Sequence, residues 1–181
     1  MKWHNHVIIG TAFGAVINPL IIPSAILGAT APDWLEYILK FCGIQVRHRT
    51  VTHVVLYWII GIAFFILVWD YHHLGLGFAV GGFSHTIADS FTISGVPFSP
   101  WSDSRFHLFG GKLRTGEAGE YIVAGIIGAL CVGWVMYSPV KIGMIDQKES
   151  GFIPFFYDWK KLYEDGLIDG KEWRDNRTKF I

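Results

Sequence analysis

From Trp3 to Pro32, from Val51 to Trp69 and from Tyr121 to Ser138 this chain contains no Lys, Arg, Asp or Glu. Runs this long and apolar approach the roughly 20 residues that a bilayer demands of a spanning helix, and few soluble folds can bury so many of them. With 51% hydrophobic residues and 16% aromatics, and a positive mean hydropathy, the chain reads as an all-α integral membrane helical bundle. About four membrane segments are expected, the first one broken, followed by a short helical C-terminal tail. Formal net charge is zero, 15 Lys and Arg against 15 Asp and Glu, so no global field recruits an acidic partner. No basic stripe with interleaved aromatics is present either, which excludes nucleic acid as a partner.

The first segment carries its own punctuation. Val7 to Ile17 and Ile21 to Ala31 are separated by Asn18-Pro19, with Pro23 just beyond, which predicts two half-length helices or a re-entrant hairpin. A hairpin returns Asp33 to the side where His6 began; a straight span separates them by roughly 30 Å. Ala29-Thr30-Ala31 resembles a signal-peptide cleavage site, but the preceding run is too long and is interrupted, and Pro32 would follow the cut. The segment is therefore expected to be retained.

Val51 to Trp69 is the clearest span, ending in an interfacial belt of Trp69, Asp70, Tyr71, His72 and His73. Leu74 to Phe91 returns, with Gly75, Gly77, Gly81 and Gly82 permitting close helix packing. A long polar loop follows Pro97, and Tyr121 to Ser138 crosses again. The expected division is a membrane-embedded domain over 1–138 and a polar tail over 139–181. Within the tail, Asp158 to Ile181 has the pattern of one or two short amphipathic helices around Gly166. It resembles short helical modules that mediate homo-oligomerisation. Cys42 and Cys131 lie far apart and form no CxxC pair, so they read as inert packing thiols.

Chemistry concentrates in Ser84 to Pro97, SHTIADSFTISGVP. His85 and Asp89, four apart, share one helical face, and Thr92 follows a turn later. An ionisable pair in such apolar surroundings is costly unless paired or bound to a cation, which makes a functional reading the default; a core histidine bonded to its own helix's carboxylate is the plain alternative. Other candidates sit at segment ends. His6 precedes the first run, and Pro32-Asp33 follows it, Asp33 doubling as a candidate N-cap. His48 and His53 flank the cluster RHRTVTH, where Arg49 would pair with lipid headgroups or clamp a phosphate. Glu117 and Glu120 fall in the first turn of the last helix, where acidic residues also serve the helix dipole. His72, His73 and His107 read as surface or incidental residues. Together, His6, Asp33, His48, His53, His85, Asp89 and Glu120 form an N/O donor set on one side of a bundle, suited to zinc, or to manganese or iron where carboxylates dominate.

The order of these pieces resembles the YdjM-like family of membrane-bound metal-dependent hydrolases. The matching residues are His6, Pro32-Asp33, HRxxTH over His48 to His53, SHxxxDxxTxxGVP over Ser84 to Pro97, and Gly116-x-x-x-Glu120. Relatives often have Ser where this chain has Glu117, so the acidic member is either Glu117 or Glu120. That family is grouped by distant similarity with zinc-dependent phospholipases C and P1-type nucleases. The resemblance implies a helical fold at the bacterial inner membrane and phosphoester hydrolysis at two or three divalent ions, zinc first. Asp89 would bridge metals beside His85, Asp33 and His53 would complete one site, and His6 would serve a second.

Asp33 and Asp89 are then the expected catalytic carboxylates, and Arg49, Arg105 and Thr92 the expected substrate contacts. A site at the membrane boundary favours a lipid-borne phosphoester, with membrane lipid itself as the standing partner. The competing reading is a non-catalytic membrane protein with a structural or sensing metal. A transporter would need polar residues at the centres of Val51 to Trp69 or Tyr121 to Ser138, and neither has one. Under the hairpin topology, Lys2, Lys40, Arg47, Arg49, Arg105, Lys112 and Arg114 collect on the site side, against Lys141 and Lys148 opposite. The positive-inside rule then predicts a cytoplasmic site.

Overall fold

The first charge-free run folds as a hairpin. Helix α1 (Trp3–Ile17) stops at Asn18, whose extended backbone leaves the helix while its Oδ1 accepts the Leu20 N–H at 2.9 Å. Pro19 opens a single 3-10 turn, and α2 (Ile22–Phe41) runs back along α1. Asn18 thus supplies the acceptor that the turn needs while Pro19 ends the helix. Asn18→Ala is expected to cost about 1 kcal/mol, read as a lower thermal midpoint in detergent.

The structure is a computed structural model that describes residues 1–67, 70, 73–102, 104–137, 166 and 169–171. The chain divides into two units, Met1–Gly143 and Met144–Ile181, and everything below concerns the first. The expected boundary at 138/139, the belt residues Trp69, Tyr71 and His72, and most of the amphipathic tail lie outside the described residues.

One expected break is absent. Helix α2 passes straight through Pro32 and Asp33 to Phe41, so Asp33 is a mid-helix residue and caps nothing. Proline removes one backbone bond from a helix, and here the buried face formed by Ala25, Ala29 and Pro32 offsets the loss. The result is that Asp33 projects from a rigid element. The expected span Val51 to Trp69 is also shorter than its apolar run: Val51–His53 is a 3-10 turn, and α3 covers Val55–Leu67. The Trp58 Nε1 donates back to the Thr52 carbonyl at 3.1 Å and ties α3 to that turn.

Helix α4 (Leu74–Ser90) is capped by Asp70, which accepts the Gly75 and Leu76 N–H groups at 2.8 and 2.6 Å. It lies against α2 at glycine contacts. A Cβ on Gly28 would meet the Phe78 carbonyl oxygen at 2.0 Å, and one on Gly81 would meet the Ala25 carbonyl oxygen at 2.1 Å. Backbone cannot retreat from such overlaps, so only glycine permits this approach. Its consequence is chemical, since it brings the Ala29 carbonyl within reach of His85.

Helix α5 (Ala118–Tyr137) packs on α1, with Ile9, Ala88 and Ala124 in the shared core. It presents Ile122, Ile126, Leu130 and Trp134 outward, a four-residue rhythm that lays one apolar face along the helix. Among the described residues α5 alone is long and apolar enough to cross a membrane; α3, at 13 residues, is apolar but shorter. The loop before α5 contains an element that an all-α expectation lacks, a short antiparallel pairing of β1 (Val96–Pro97) with β2 (Arg105–Phe106). His107 is not incidental. Its ring lies against Gly95 and Gly111, both at positive φ, and its Nδ1 sits 3.3 Å from the Thr92 carbonyl.

Candidate metal centre

The start of α1, the middle of α2, the 3-10 turn at Val51–His53 and the last turns of α4 meet at one place in the bundle. Helix α1 contributes His6, α2 contributes Asp33, the 3-10 turn contributes His53, and α4 contributes His85 and Asp89. Two groups of ligand atoms result, each within 4.8 Å: His6, His85 and Asp89, and Asp33, His53 and His85. His85 belongs to both. These five expected ligands therefore converge, although they come from four separate elements.

Donor chemistry follows from the hydrogen bonds. The His85 Nδ1 lies 2.7 Å from the Ala29 carbonyl, which only accepts. Nδ1 therefore carries the proton, and Nε2 of the neutral ring presents a lone pair inward. That Nε2 faces His53 Nε2 at 3.3 Å, Asp89 Oδ2 at 3.6 Å and Asp33 Oδ1 at 3.9 Å. His53 Nε2 lies 3.4 Å from Asp33 Oδ1. Burial holds the His53 pKa below its ordinary value, against the opposing effect of the Asp33 carboxylate.

His6 supplies the sharpest test of fit. Its ring stacks on His85 with centroids 3.7 Å apart, and its Nε2 lies 3.5 Å from Asp89 Oδ1. Both of its ring nitrogens are buried without a hydrogen-bond partner. An imidazole so placed is costly unless its lone pair is used. A tetrahedral ion with bonds of about 2.0–2.1 Å separates its ligands by roughly 3.3–3.5 Å. The observed separations of 3.3 to 3.9 Å already approach that edge length. The residues present fit a zinc-class ion.

The other expected residues take different places. His48 is largely exposed and bonds Glu36 through Nδ1 at 2.8 Å, so it joins neither ligand group. Glu36 also accepts from Lys40 at 2.6 Å. Glu120 is fully buried away from both ligand groups, accepting from the backbone N–H of Lys2, from Asn5 Nδ2 at 2.6 Å and from the Gly116 N–H at 2.6 Å. Glu117 is an exposed residue paired with Arg114 at 3.8 Å.

Arg49 turns inward onto Asp89 and Thr92, and Arg105 bonds the Arg49 carbonyl. Arg49 is buried against these partners, whereas Arg105 is exposed and uses Nη1 alone in this bond. The amino group of Met1 also pairs with Asp89. A pocket of about 220 Å³ opens onto Asp33 and Asp89, with Trp3, Glu36, Tyr37 and His48 in its wall.

Reading the sequence for site residues missed Glu36, which lines the pocket, and Asn5, which bonds Glu120. Glu36 stands three residues after Asp33 on the same helix face, and that spacing was the available signal. Asn5 gave none, because its partner Glu120 lies more than a hundred positions away.

A family model described as YdjM inner membrane protein matches residues 1–144. No curated protein and no solved structure matches the chain. The chain belongs to the YdjM inner membrane protein family.

Proposed function

We propose that this member of the YdjM inner membrane protein family is a membrane-bound metal-dependent hydrolase that cleaves a phosphoester, with a lipid-borne substrate. One observation carries the reading: two ligand groups share the buried His85, each includes a carboxylate, Asp33 or Asp89, that lines an open pocket, and the buried His6 beside them has two unpartnered nitrogens. A closed four-ligand cage would suit bracing, whereas three protein ligands beside a pocket leave a position for water or substrate.

His6, His85 and Asp89 would hold one ion and Asp33, His53 and His85 the other. Zinc there would act as a Lewis acid and lower the pKa of a water toward neutrality. The chain's own residues do the rest. Asp33 is the more accessible of the two carboxylates, its side chain 14% exposed against 1% for Asp89, and it is placed to orient a water and accept its proton. The Ala29 carbonyl fixes the His85 tautomer. Glu36, Lys40 and His48 line the approach. With α5 as a membrane-crossing helix and α1 to α4 as further membrane segments, the pocket lies at the bilayer boundary, on the cytoplasmic side by the distribution of Lys and Arg.

The test is metal content and turnover of detergent-purified protein. Zinc-loaded wild type is expected to hold two equivalents per chain and to release phosphate-bearing headgroup from phospholipid micelles. Asp33→Asn is expected to lower that rate at least 100-fold. One tightly held equivalent without turnover would instead support a structural metal.

A further inference from the structure

Arg49 turns its guanidinium onto Asp89 and Thr92. Two of its guanidinium nitrogens are hydrogen-bonded inward, Nη1 to Thr92 Oγ1 at 2.9 Å and Nη2 to Asp89 Oδ1 at 3.1 Å, while Nε lies 3.0 Å from Asp89 Oδ2 in an ion pair without a hydrogen bond. Its side chain is 10% exposed. Its backbone sits at φ 59°, a left-handed conformation that residues with a Cβ rarely adopt. Two anchors hold the turn there: the guanidinium on Asp89, and the Arg49 carbonyl, which accepts from Arg105 Nη1 at 2.5 Å.

We propose that Arg49 is the resident counter-cation of Asp89, and that a divalent metal bound by His6, His85 and Asp89 displaces its guanidinium and releases the turn from Arg47 to Thr50. The inference rests on the metal-centre reading above and extends it to how the site loads. The two oxygens in question are already spoken for. Asp89 Oδ1 is the atom facing His6 Nε2, Oδ2 is the atom facing His85 Nε2, and Arg49 occupies both.

Charge points the same way. Asp33 and Asp89 bring two negative charges, which Arg49 and the Met1 amino group already balance; a divalent ion added beside them leaves an excess positive charge in a buried site, which loss of the guanidinium relieves. Once the guanidinium leaves, Arg105 alone holds the strained turn, and the backbone can relax. Loading and turn conformation are then linked, and by reciprocity whatever removes the arginine strengthens the metal.

The experiment is a zinc titration of full-length, chelator-stripped protein in detergent, read by competition with a chromophoric chelator. Arg49→Gln is expected to bind zinc about tenfold more tightly than wild type. Thr92→Val, which removes the acceptor of Arg49 Nη1 and no ligand, should fall between them, and it carries the test if Arg49→Gln does not fold. Wild type should also be cut faster by trypsin after Arg47 and Arg49 once zinc is added. Equal or weaker zinc binding in both variants, or a cutting rate that zinc leaves unchanged, overturns the exchange while leaving the metal centre standing. No zinc binding by wild type or by either variant overturns both.

Discussion

His85→Ala is expected to reduce bound zinc more than tenfold, to near background, after loading and desalting in detergent. The reason is arithmetic of ligands: His85 Nε2 serves both groups, so its loss leaves each with two protein donors. Asp33→Ala, by contrast, spares His6, His85 and Asp89, and should lose about half of the metal if both sites fill. The contrast between the variants separates a shared ligand from general damage. Damage is itself expected, because the substitution also deletes the stack on His6 and the bond to the Ala29 carbonyl. A melting curve and size-exclusion profile of each variant settle whether the fold survives. Equal metal loss in folded His85→Ala and folded Asp33→Ala would mean a single ion held by the group containing Asp33.

Much of this centre was legible because its parts obey short-range rules. The His85 and Asp89 pair is an i, i+4 spacing, and such pairs meet on any helix. Bringing His6 and Asp33 to it required only that Asn18-Pro19 break the first run, and the structure shows the backbone leaving α1 at that point. Pro32 was misread for an instructive reason. The rule that proline ends helices is local, and the packing of Ala25, Ala29 and Pro32 on the bundle overrides it. The pairing of β1 with β2 had no sequence signal, since two-residue strands are too short to alternate. A sequence shows Arg49 as a cation beside a cluster of ligands; only coordinates show that its left-handed turn sets its guanidinium on Asp89, in the wall of the pocket.

Glu120 poses the same question with the opposite geometry, and a variant decides it. Glu120→Ala is expected to cost about 3 kcal/mol of stability and leave zinc content unchanged. Three donors converge on this carboxylate, the Lys2 N–H, the Asn5 amide and the Gly116 N–H, and the residue is wholly buried. They tie the first turn of α1 to the first turn of α5, so the carboxylate fixes the element that carries His6. Truncation strands all three donors in a space without acceptors, which is the expensive way to break a hydrogen bond. Glu120→Gln keeps one oxygen but sets an amide N–H against a donor, so it should lie between wild type and alanine. Helix α1 would then lose its register with α5 before it loses its ligands, and a midpoint shift with zinc intact at low temperature is the signature. Zinc loss from folded Glu120→Gln at that temperature would instead make Glu120 a ligand, and the resemblance to the family motif at Gly116 and Glu120 would carry metal chemistry after all.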